Sequence, residues 1–317
     1  MQLRSAAPML LRLAVSIVAI WALLHAIDIR TTVRQLRGIA PGWILLSGLS
    51  YGLCIVIGGL KWRVALPTVP VGTLTYAVLA YCFYSVLPTG QLGGEVSKAL
   101  LVSRRGPAFA QIAASLVFDK LSGVLALLAV GAWALSQCEP PLRSVFPFVL
   151  LMATGILLLL IAARPIAQLI QTCLCRFRSA ASLLERLFGI ADELSAISNA
   201  RVLTRSLAWG IASHATLVGV YLVLAHGIGM DIAPAPLTAI VVLANIAALI
   251  PVSAGGFGLR EASLAGLLTG ALDMEPTQAV ALSVASMAIF LAAALVGGLL
   301  ELTKSMWRDW VRRLTDC

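Results

Sequence analysis

The sequence predicts an all-α, polytopic membrane protein, and three observations lead to this fold class. First, 60% of the 317 residues are hydrophobic and only 12% are charged, whereas soluble domains carry about 25% charged residues. Second, apolar segments of about 20 residues, the length of a membrane-spanning helix, recur along the chain. Third, two shorter apolar segments end in glycine-rich turns that are followed at once by charged residues.

Six of the apolar segments are predicted to cross the membrane completely. They fall near residues 10–29, 42–62, 108–136, 145–163, 206–228 and 275–300. The first superficially resembles a signal peptide, but Arg12 interrupts its apolar run and no convincing small-x-small cleavage site follows. We therefore interpret this segment as a retained first helix.

A long polar break separates the apolar segments at residues 164–205. It contains six arginines and three acidic residues, and its apolar side chains recur at helical spacing. This pattern predicts an amphipathic linker, formed by one helix or a helix pair on the membrane surface. The positive-inside rule places both the linker and the basic C-terminal tail in the cytoplasm.

These two assignments determine the predicted topology. Segment 206–228 leaves the cytoplasm and segment 275–300 returns to it, so segment 236–271 must begin and end outside. Followed towards the N-terminus, and with Lys61 and Arg63 taken to mark the cytoplasmic end of segment 42–62, the same argument makes segment 71–103 begin and end in the cytoplasm. The sequence therefore predicts two re-entrant helical hairpins, which turn at PTGQLGG and at PVSAGGFG.

The order of the segments repeats along a single integral membrane domain, 1–317. A crossing helix, a hairpin and a crossing helix in residues 42–136 are followed by the same set, in opposite orientation, in residues 206–300. This order predicts an inverted repeat, which is common in transporters with a midplane site. One loop disagrees, because the topology places the arginines of residues 30–37 outside. The alternative is that both glycine turns are ordinary loops between full crossings.

Charge and cysteine content limit the classes of partner. The formal net charge is +9, and the basic residues lie mainly between and after apolar segments, which favours the anionic face of a membrane. Basic patches interleaved with exposed aromatics are missing, so no nucleic-acid partner is predicted. The six cysteines form no CxxC motif, and His25 and His214 are interpreted as hydrogen-bonded core residues. No metal and no other cofactor is predicted.

Ionisable residues within apolar segments indicate function by default, because they are costly in lipid. Asp119 shares one helical face with Gln111, Ser115 and Ser122. We expect this polar stripe to face a partner helix or a watery cavity. Lys120 is expected to point elsewhere and not to be a simple partner for Asp119. The alternative role for Asp119 is a structural ion pair or buried hydrogen bond between helices.

Charged residues also follow each glycine turn, Glu95 and Lys98 after the first and Arg260 and Glu261 after the second. The basic residues are suited to a lipid phosphate, and the acidic residues to an amine headgroup or a proton. The N-terminus of the helix that starts at each turn also favours an anion. The alternatives are a simple Glu95–Lys98 pair at helical spacing and an interfacial position for Arg260 and Glu261.

At PTGQLGGEVSKALLVSRRG, FDKLSGVLALL and IPVSAGGFGLREASLAGLL, the sequence resembles the lysylphosphatidylglycerol synthase transmembrane-region family of flippase-like proteins. The resemblance covers about residues 10–300. Glu95 stands where family members often have Asp, and Lys120 where Arg is usual, so an ammonium replaces a bidentate guanidinium. The family's motif positions fall at Pro88, Gly93, Gly94, Glu95, Lys98, Asp119, Lys120, Pro251, Gly255, Gly256, Gly258, Arg260 and Glu261.

The resemblance implies a function in lipid transport. Family members that synthesise aminoacyl lipids carry a large soluble transferase domain after the membrane region, and we expect this chain, which ends at Cys317, to lack it. No GxSxG, Walker or HExxH motif is present. We therefore expect a lipid flippase-like transporter rather than an enzyme, moving an anionic phospholipid or lipid-linked headgroup across the bacterial inner membrane with both termini cytoplasmic.

Several alternatives stay open at this point. They are a membrane-embedded lipid- or glycosyl-transferase, a small-solute or ion transporter, and an accessory subunit of a lipid-modifying enzyme, which would then be a partner. Homo-oligomerisation is open as well. The expected substrate-binding residues surround the two turns and Asp119; they are Gly90, Gln91, Gly93, Gly94, Glu95, Lys98, Ser115, Asp119, Lys120, Ser253, Gly255, Gly256, Arg260 and Glu261.

Overall fold

The computed structural model describes residues 29–87, 90–162, 181–249 and 258–315, with side chains placed from residue 32 onwards except at 181–187 and 305–315. Within these ranges the chain is helical, without a β-strand. The predicted first crossing, 10–29, therefore lies almost entirely outside the described residues. The same holds for Pro88, the turn at PVSAGGFG up to residue 257, and the first part of the linker.

Eleven α-helices are described. In chain order they are α1 (Ile29–Gly38), α2 (Pro41–Ala65), α3 (Val71–Val86), α4 (Gly90–Ser103), α5 (Phe109–Ser136), α6 (Phe146–Ile161, after a 3-10 turn at Leu142–Val145), α7 (Ala181–Ile197), α8 (Ala200–Ile228), α9 (Pro234–Ala248), α10 (Leu259–Leu272) and α11 (Pro276–Thr315).

Five helical segments are long and apolar enough to cross a membrane. They are Pro41–Ala65, Phe109–Ser136, Leu142–Ile161, Ala200–Ile228 and Pro276–Lys304. These correspond to the five predicted crossings that fall within the described residues, so the protein is a multi-pass helical membrane protein. The full count of six crossings and the assignment of the termini to the cytoplasm stay predictions.

Local sequence explains where the helices begin. Pro41, Pro234 and Pro276 each open a helix, because proline needs no amide partner in the first turn. Asn199 caps α8 by accepting a hydrogen bond from the Val202 amide at 3.0 Å. The predicted crossing near 206–228 is therefore extended by the end of the linker into one continuous helix.

Two pairs of short helices occupy corresponding places in the chain. The pair α3–α4 lies between the long helices α2 and α5, and the pair α9–α10 lies between α8 and α11. Within each pair the two helices pack against each other. None of the four exceeds 16 residues, which falls short of the usual span. This arrangement fits the predicted hairpins, whose re-entrant course stays a prediction.

The second helix of each pair begins at a glycine that has a positive φ. Gly90 has φ 60° and Gly258 has φ 82°, a backbone conformation that costs other L-residues energy. Gly258 also donates its amide to the Glu261 carboxylate at 2.8 Å. The two turns thus share a glycine with a positive φ at the start of the following helix, although their sequences differ.

Small residues set the distances between helices around the short pairs. A Cβ on Gly297 of α11 would lie 2.6 Å from the Leu79 carbonyl oxygen of α3, and one on Gly94 of α4 would lie 2.4 Å from the Tyr81 ring. Close backbone approach at small residues is the usual way that helices pack in lipid. Large apolar side chains such as Leu45 and Leu151 are exposed on the outside of the bundle, where lipid would surround them.

Within the described part of the linker, residues 181–197 form one helix, α7, against the bundle. In α7, Leu194 and Ile197 pack against a core cluster that includes Phe118 and Leu125 of α5. The predicted amphipathic helix is therefore present over residues 181–197. Its position on the cytoplasmic surface stays a prediction.

The left-handed position at the start of α10 gives a stability prediction. Gly258→Ala is expected to destabilise the protein by about 1–3 kcal/mol, because alanine resists this backbone conformation. Gly266→Ala is the matched control, since Gly266 lies within α10 with open space around it, and alanine there should raise helix stability. Thermal unfolding of the detergent-solubilised variants should lower the apparent Tm for the first and not for the second; equal shifts would contradict the assignment.

Candidate functional site

A polar cavity of about 350 Å³ lies within the apolar helical bundle. Helices of both predicted repeat halves form its walls, including α2, α4 and α5 from the first and α8, α9 and α10 from the second. Its charged lining residues are four cations and three carboxylates: Lys61, Lys98, Lys120, Arg260, Glu95, Asp119 and Glu261. Six of these seven are among the site residues expected from the sequence, four on the short helices α4 and α10 and two, Asp119 and Lys120, on α5; Lys61 is the addition.

Asp119 of α5 holds two lysines from other helices. Its Oδ1 lies 2.5 Å from Lys61 Nζ of α2, and its Oδ2 lies 3.3 Å from Lys98 Nζ of α4. Lys61 Nζ also donates to the Asp119 backbone carbonyl at 2.5 Å. The alternative of an ion pair that joins helices is therefore realised, and the same carboxylate also lines the cavity.

Lys98 is one of the two most enclosed cations of the site, with a side chain only 7% exposed. Besides Asp119, its Nζ lies 3.3 Å from Glu95 Oε2 and 4.6 Å above the centre of the Trp62 ring. Two carboxylates and an aromatic face thus compensate one buried ammonium. The Glu95–Lys98 pair expected from helical spacing is formed, and both residues face the cavity.

Lys120 pairs with the first glycine turn and not with Asp119. Its Nζ lies 3.9 Å from Glu95 Oε1 and 3.4 Å from Gln91 Oε1. The Lys120 side chain is 44% exposed, which makes it the most accessible of the four cations that the cavity lining contains. Lys120 lines the cavity beside Gln91 and Glu95, because the start of α4 lies next to α5.

Arg260 and Glu261 form a paired unit at the start of α10. Arg260 Nη2 and Nε donate to Glu261 Oε1 at 2.7 and 3.0 Å, and the guanidinium carbon lies 5.8 Å from the centre of the Phe290 ring of α11. Glu261 is only 4% exposed and Arg260 18%. Glu261 is therefore buried in the bundle and Arg260 partly buried; their depth in the membrane stays a prediction.

One hydrogen bond joins the two short-helix pairs directly. The Gln91 side-chain amide of α4 donates to the backbone carbonyl of Ala248, at the end of α9, at 3.2 Å. These residues are 157 positions apart in the chain. The first glycine turn and the end of α9 therefore meet at the cavity; the inverted repeat itself stays a prediction.

Other predicted site residues have different surroundings. Ser115 is fully buried; its hydroxyl accepts a hydrogen bond from Trp62 Nε1 at 3.1 Å and donates to the Ile112 carbonyl at 2.8 Å. It supports the Trp62 ring beneath Lys98 and is not part of the cavity lining. Gly90 shapes the turn and Gly94 the packing of α4, and neither they nor Gly93 belong to the lining. Ser253, Gly255 and Gly256 lie outside the described residues.

Lys61 is the main residue that sequence reasoning placed differently. It was expected to mark the cytoplasmic end of a crossing, yet its side chain is only 7% exposed and is directed at Asp119. Gly123 and Gly210 leave room for it, because a Cβ on either would lie 3.3–3.5 Å from the lysine side chain. The available signal was its position inside the apolar segment 42–62, where an ionisable residue indicates function.

His214 fulfils its predicted role and also lines the cavity. Its Nε2 is hydrogen-bonded to the Gly123 carbonyl at 3.0 Å, as expected of a core histidine. Its buried Nδ1 has no hydrogen-bond partner among the described residues. Further uncharged polar groups in the lining, not found from the sequence, are Tyr81, Ser85, Ser213 and Asn245.

The fold and site together define a multi-pass helical membrane protein with a charged internal cavity between two similarly ordered halves. The family described as the lysylphosphatidylglycerol synthase TM region matches residues 9–309. The chain belongs to this family, as its motifs predicted, and the membership indicates a membrane lipid-related function. A search of curated proteins finds no significant match.

The burial of Lys61 and the exposure of Lys120 give a second stability prediction. Lys61→Met should destabilise the protein by about 3–5 kcal/mol, because it leaves the buried Asp119 with one fewer cation. Lys120→Met should cost less than about 1 kcal/mol, since that pair is solvent-accessible. The apparent Tm of both variants in detergent checks the difference, and comparable losses would show that the Lys61–Asp119 pair carries no special weight.

Proposed function

We propose that the protein is a lipid flippase-like transporter whose central cavity takes the polar headgroup of an anionic lipid. The observation that carries this proposal is the cavity itself, which brings seven charged side chains together inside a bundle with an apolar outer surface. Charges at this depth are costly in hydrocarbon and indicate a substrate or ion pathway. Membership of a lipid-related family favours a lipid as the substrate.

The charge balance favours an anionic headgroup. The lining holds four cations and three carboxylates, so one positive charge remains after internal pairing. Lys98 is engaged by two carboxylates, which leaves Lys120 and Arg260 as the more accessible cations for a phosphate. Their attraction for phosphate oxygens in a partly desolvated site is stronger than in water.

The size of the cavity suits a headgroup and not a whole lipid. A volume of about 350 Å³ is at the lower end of the range for small-molecule sites, whereas the acyl chains of a phospholipid need far more room. In the proposed mechanism the headgroup passes through the polar cavity while the tails stay in the surrounding bilayer. Movement of the two short-helix pairs relative to each other would open the cavity to each side in turn.

Lipid movement in proteoliposomes tests the proposal. With fluorescent phosphatidylglycerol and a membrane-impermeant quencher, the wild-type protein should move lipid between leaflets. Arg260→Ala and Lys120→Met should each slow this movement by about tenfold or more, since each removes a charge-assisted contact to the headgroup worth about 1.5–3 kcal/mol. Asp119→Asn should also slow it, because it weakens the ion pairs that position Lys61 and Lys98. Lys120→Met is the informative variant, because its predicted effect on stability is small.

Controls remove equivalent charges elsewhere. Glu139→Gln and Arg143→Ala change exposed residues between α5 and α6 and should leave the rate of lipid movement unchanged. Unaltered movement in the Asp119, Arg260 and Lys120 variants would remove the proposed site. Formation of a modified lipid by the purified protein with a group donor would instead favour a transferase.

The re-entrant course of the two short-helix pairs is part of the proposal and has its own test. Single cysteines replacing Thr68 and Ser103, at the two ends of α3–α4, should both react with an impermeant thiol reagent from the cytoplasmic face. Cysteines replacing Asp231 and Glu275, at the two ends of α9–α10, should both react from the outside. These four positions are exposed, so the reagent can reach them in a background without other cysteines. A pair that labels from opposite faces would show a full crossing.

A further inference from the structure

A second groove lies between the start of α3, the end of α4 and residues 301–304 of α11. Its volume is about 910 Å³, and its lining includes Tyr76, Arg104, Arg105, Glu301 and Lys304. It shares no lining residue with the central cavity. Because Arg104 follows Lys98 by six residues along and just beyond α4, the groove lies roughly 9 Å further along this helix axis than Lys98.

The groove is more strongly basic than the central cavity. Three cations, Arg104, Arg105 and Lys304, face a single carboxylate, Glu301, which gives a formal charge of +2. The Tyr76 hydroxyl donates a hydrogen bond to Glu301, and Lys304 Nζ lies above the Tyr76 ring. The aromatic ring thus orders Lys304 and Glu301, while Arg104 and Arg105 are exposed.

Exposed apolar side chains lie on the same helices as the basic residues of this groove. Leu101 of α4 belongs to the lining, and Leu100 of α4 and Leu299 and Leu302 of α11 are exposed large hydrophobics, each within five residues of a basic lining residue. Basic residues close to exposed leucines are typical of the boundary between headgroups and acyl chains.

We propose that this groove binds an anionic phospholipid of the adjacent leaflet through its phosphate. Arg104 and Arg105 supply guanidinium groups that hydrogen-bond phosphate oxygens in a fork, and Lys304 supplies a point charge. The exposed leucines receive the upper acyl chain. The excess positive charge selects a net negative headgroup over a zwitterionic one that carries the same phosphate.

Binding of a lipid in this groove does not depend on lipid translocation. A lipid can reside in this groove at equilibrium whether or not the central cavity moves headgroups across the bilayer. A protein that fails the flipping assay can therefore still retain the lipid here. A protein that moves lipid through the central cavity can likewise fail to bind lipid in the groove, so each proposal can be disproved without the other.

Native mass spectrometry of the delipidated full-length protein, titrated with defined lipids, tests the site. Phosphatidylglycerol should bind with at least one saturable copy, and phosphatidylcholine should bind more weakly. Arg104→Gln/Arg105→Gln should weaken the tightest phosphatidylglycerol binding by about tenfold or more, because two surface cations are lost. A single Lys304→Gln change should give a smaller loss in the same direction.

The matched control removes the same charge at the far end of the bundle. Arg34→Gln/Arg37→Gln alters two exposed arginines of α1, which precedes the opposite end of α2, and should leave phosphatidylglycerol binding unchanged. Wild-type binding by the Arg104/Arg105 variant, or an equal loss in the control, would overturn the proposal. Equal binding of phosphatidylcholine would overturn the charge selectivity. Displacement of the lipid by low millimolar inorganic phosphate would assign the groove to a soluble anion instead.

Discussion

The contact between Asp119 and the lysines Lys61 and Lys98 is the interaction on which the rest of this structure depends. A lone charge at this depth in a membrane protein carries a large desolvation cost, and pairing with good geometry is the main way to offset it. Asp119 on α5 therefore fixes where α2 and α4 can lie. All seven charged residues that line the cavity are within ion-pair distance of an opposite charge. The ion pairs therefore determine both the shape of the cavity and its charge distribution.

Small and aromatic residues make this charge cluster sterically feasible. Gly123 and Gly210 leave a channel for the Lys61 side chain, and the Trp62 ring lies under Lys98, held by its hydrogen bond to Ser115. Ser115 thus supports the site indirectly, by holding the Trp62 ring, without lining the cavity itself. Polar residues on a buried helical stripe can serve the site without facing it, which is why a stripe alone does not separate ligand contacts from supporting contacts.

Sequence reasoning was strongest where the physics is local. Hydrophobic length located the crossing helices, and glycine-rich turns beside charges identified α4 and α10. It was weakest where a residue's role depends on another helix. Lys61 lies near the end of an apolar segment, where an interfacial lysine and a buried one look alike; the distinction rests on its partner Asp119, which is remote in sequence. Tyr81, Ser213 and Asn245 carry no local mark because helices apolar on all sides show little periodicity.

The distribution of the ion pairs has a consequence for biogenesis. Every ion pair in the cavity joins residues of the same half. The pairs of the first half involve only residues between 61 and 120, and the pair of the second half is Arg260 with Glu261. A nascent chain leaving the translocon can therefore neutralise its first set of charges once α5 has entered the bilayer, before the second set is synthesised. The hydrogen bond between Gln91 and Ala248, which joins the two halves, involves only uncharged groups, so no charge stays unpaired until the second half is made. Each half can be electrostatically self-sufficient before the two are brought together.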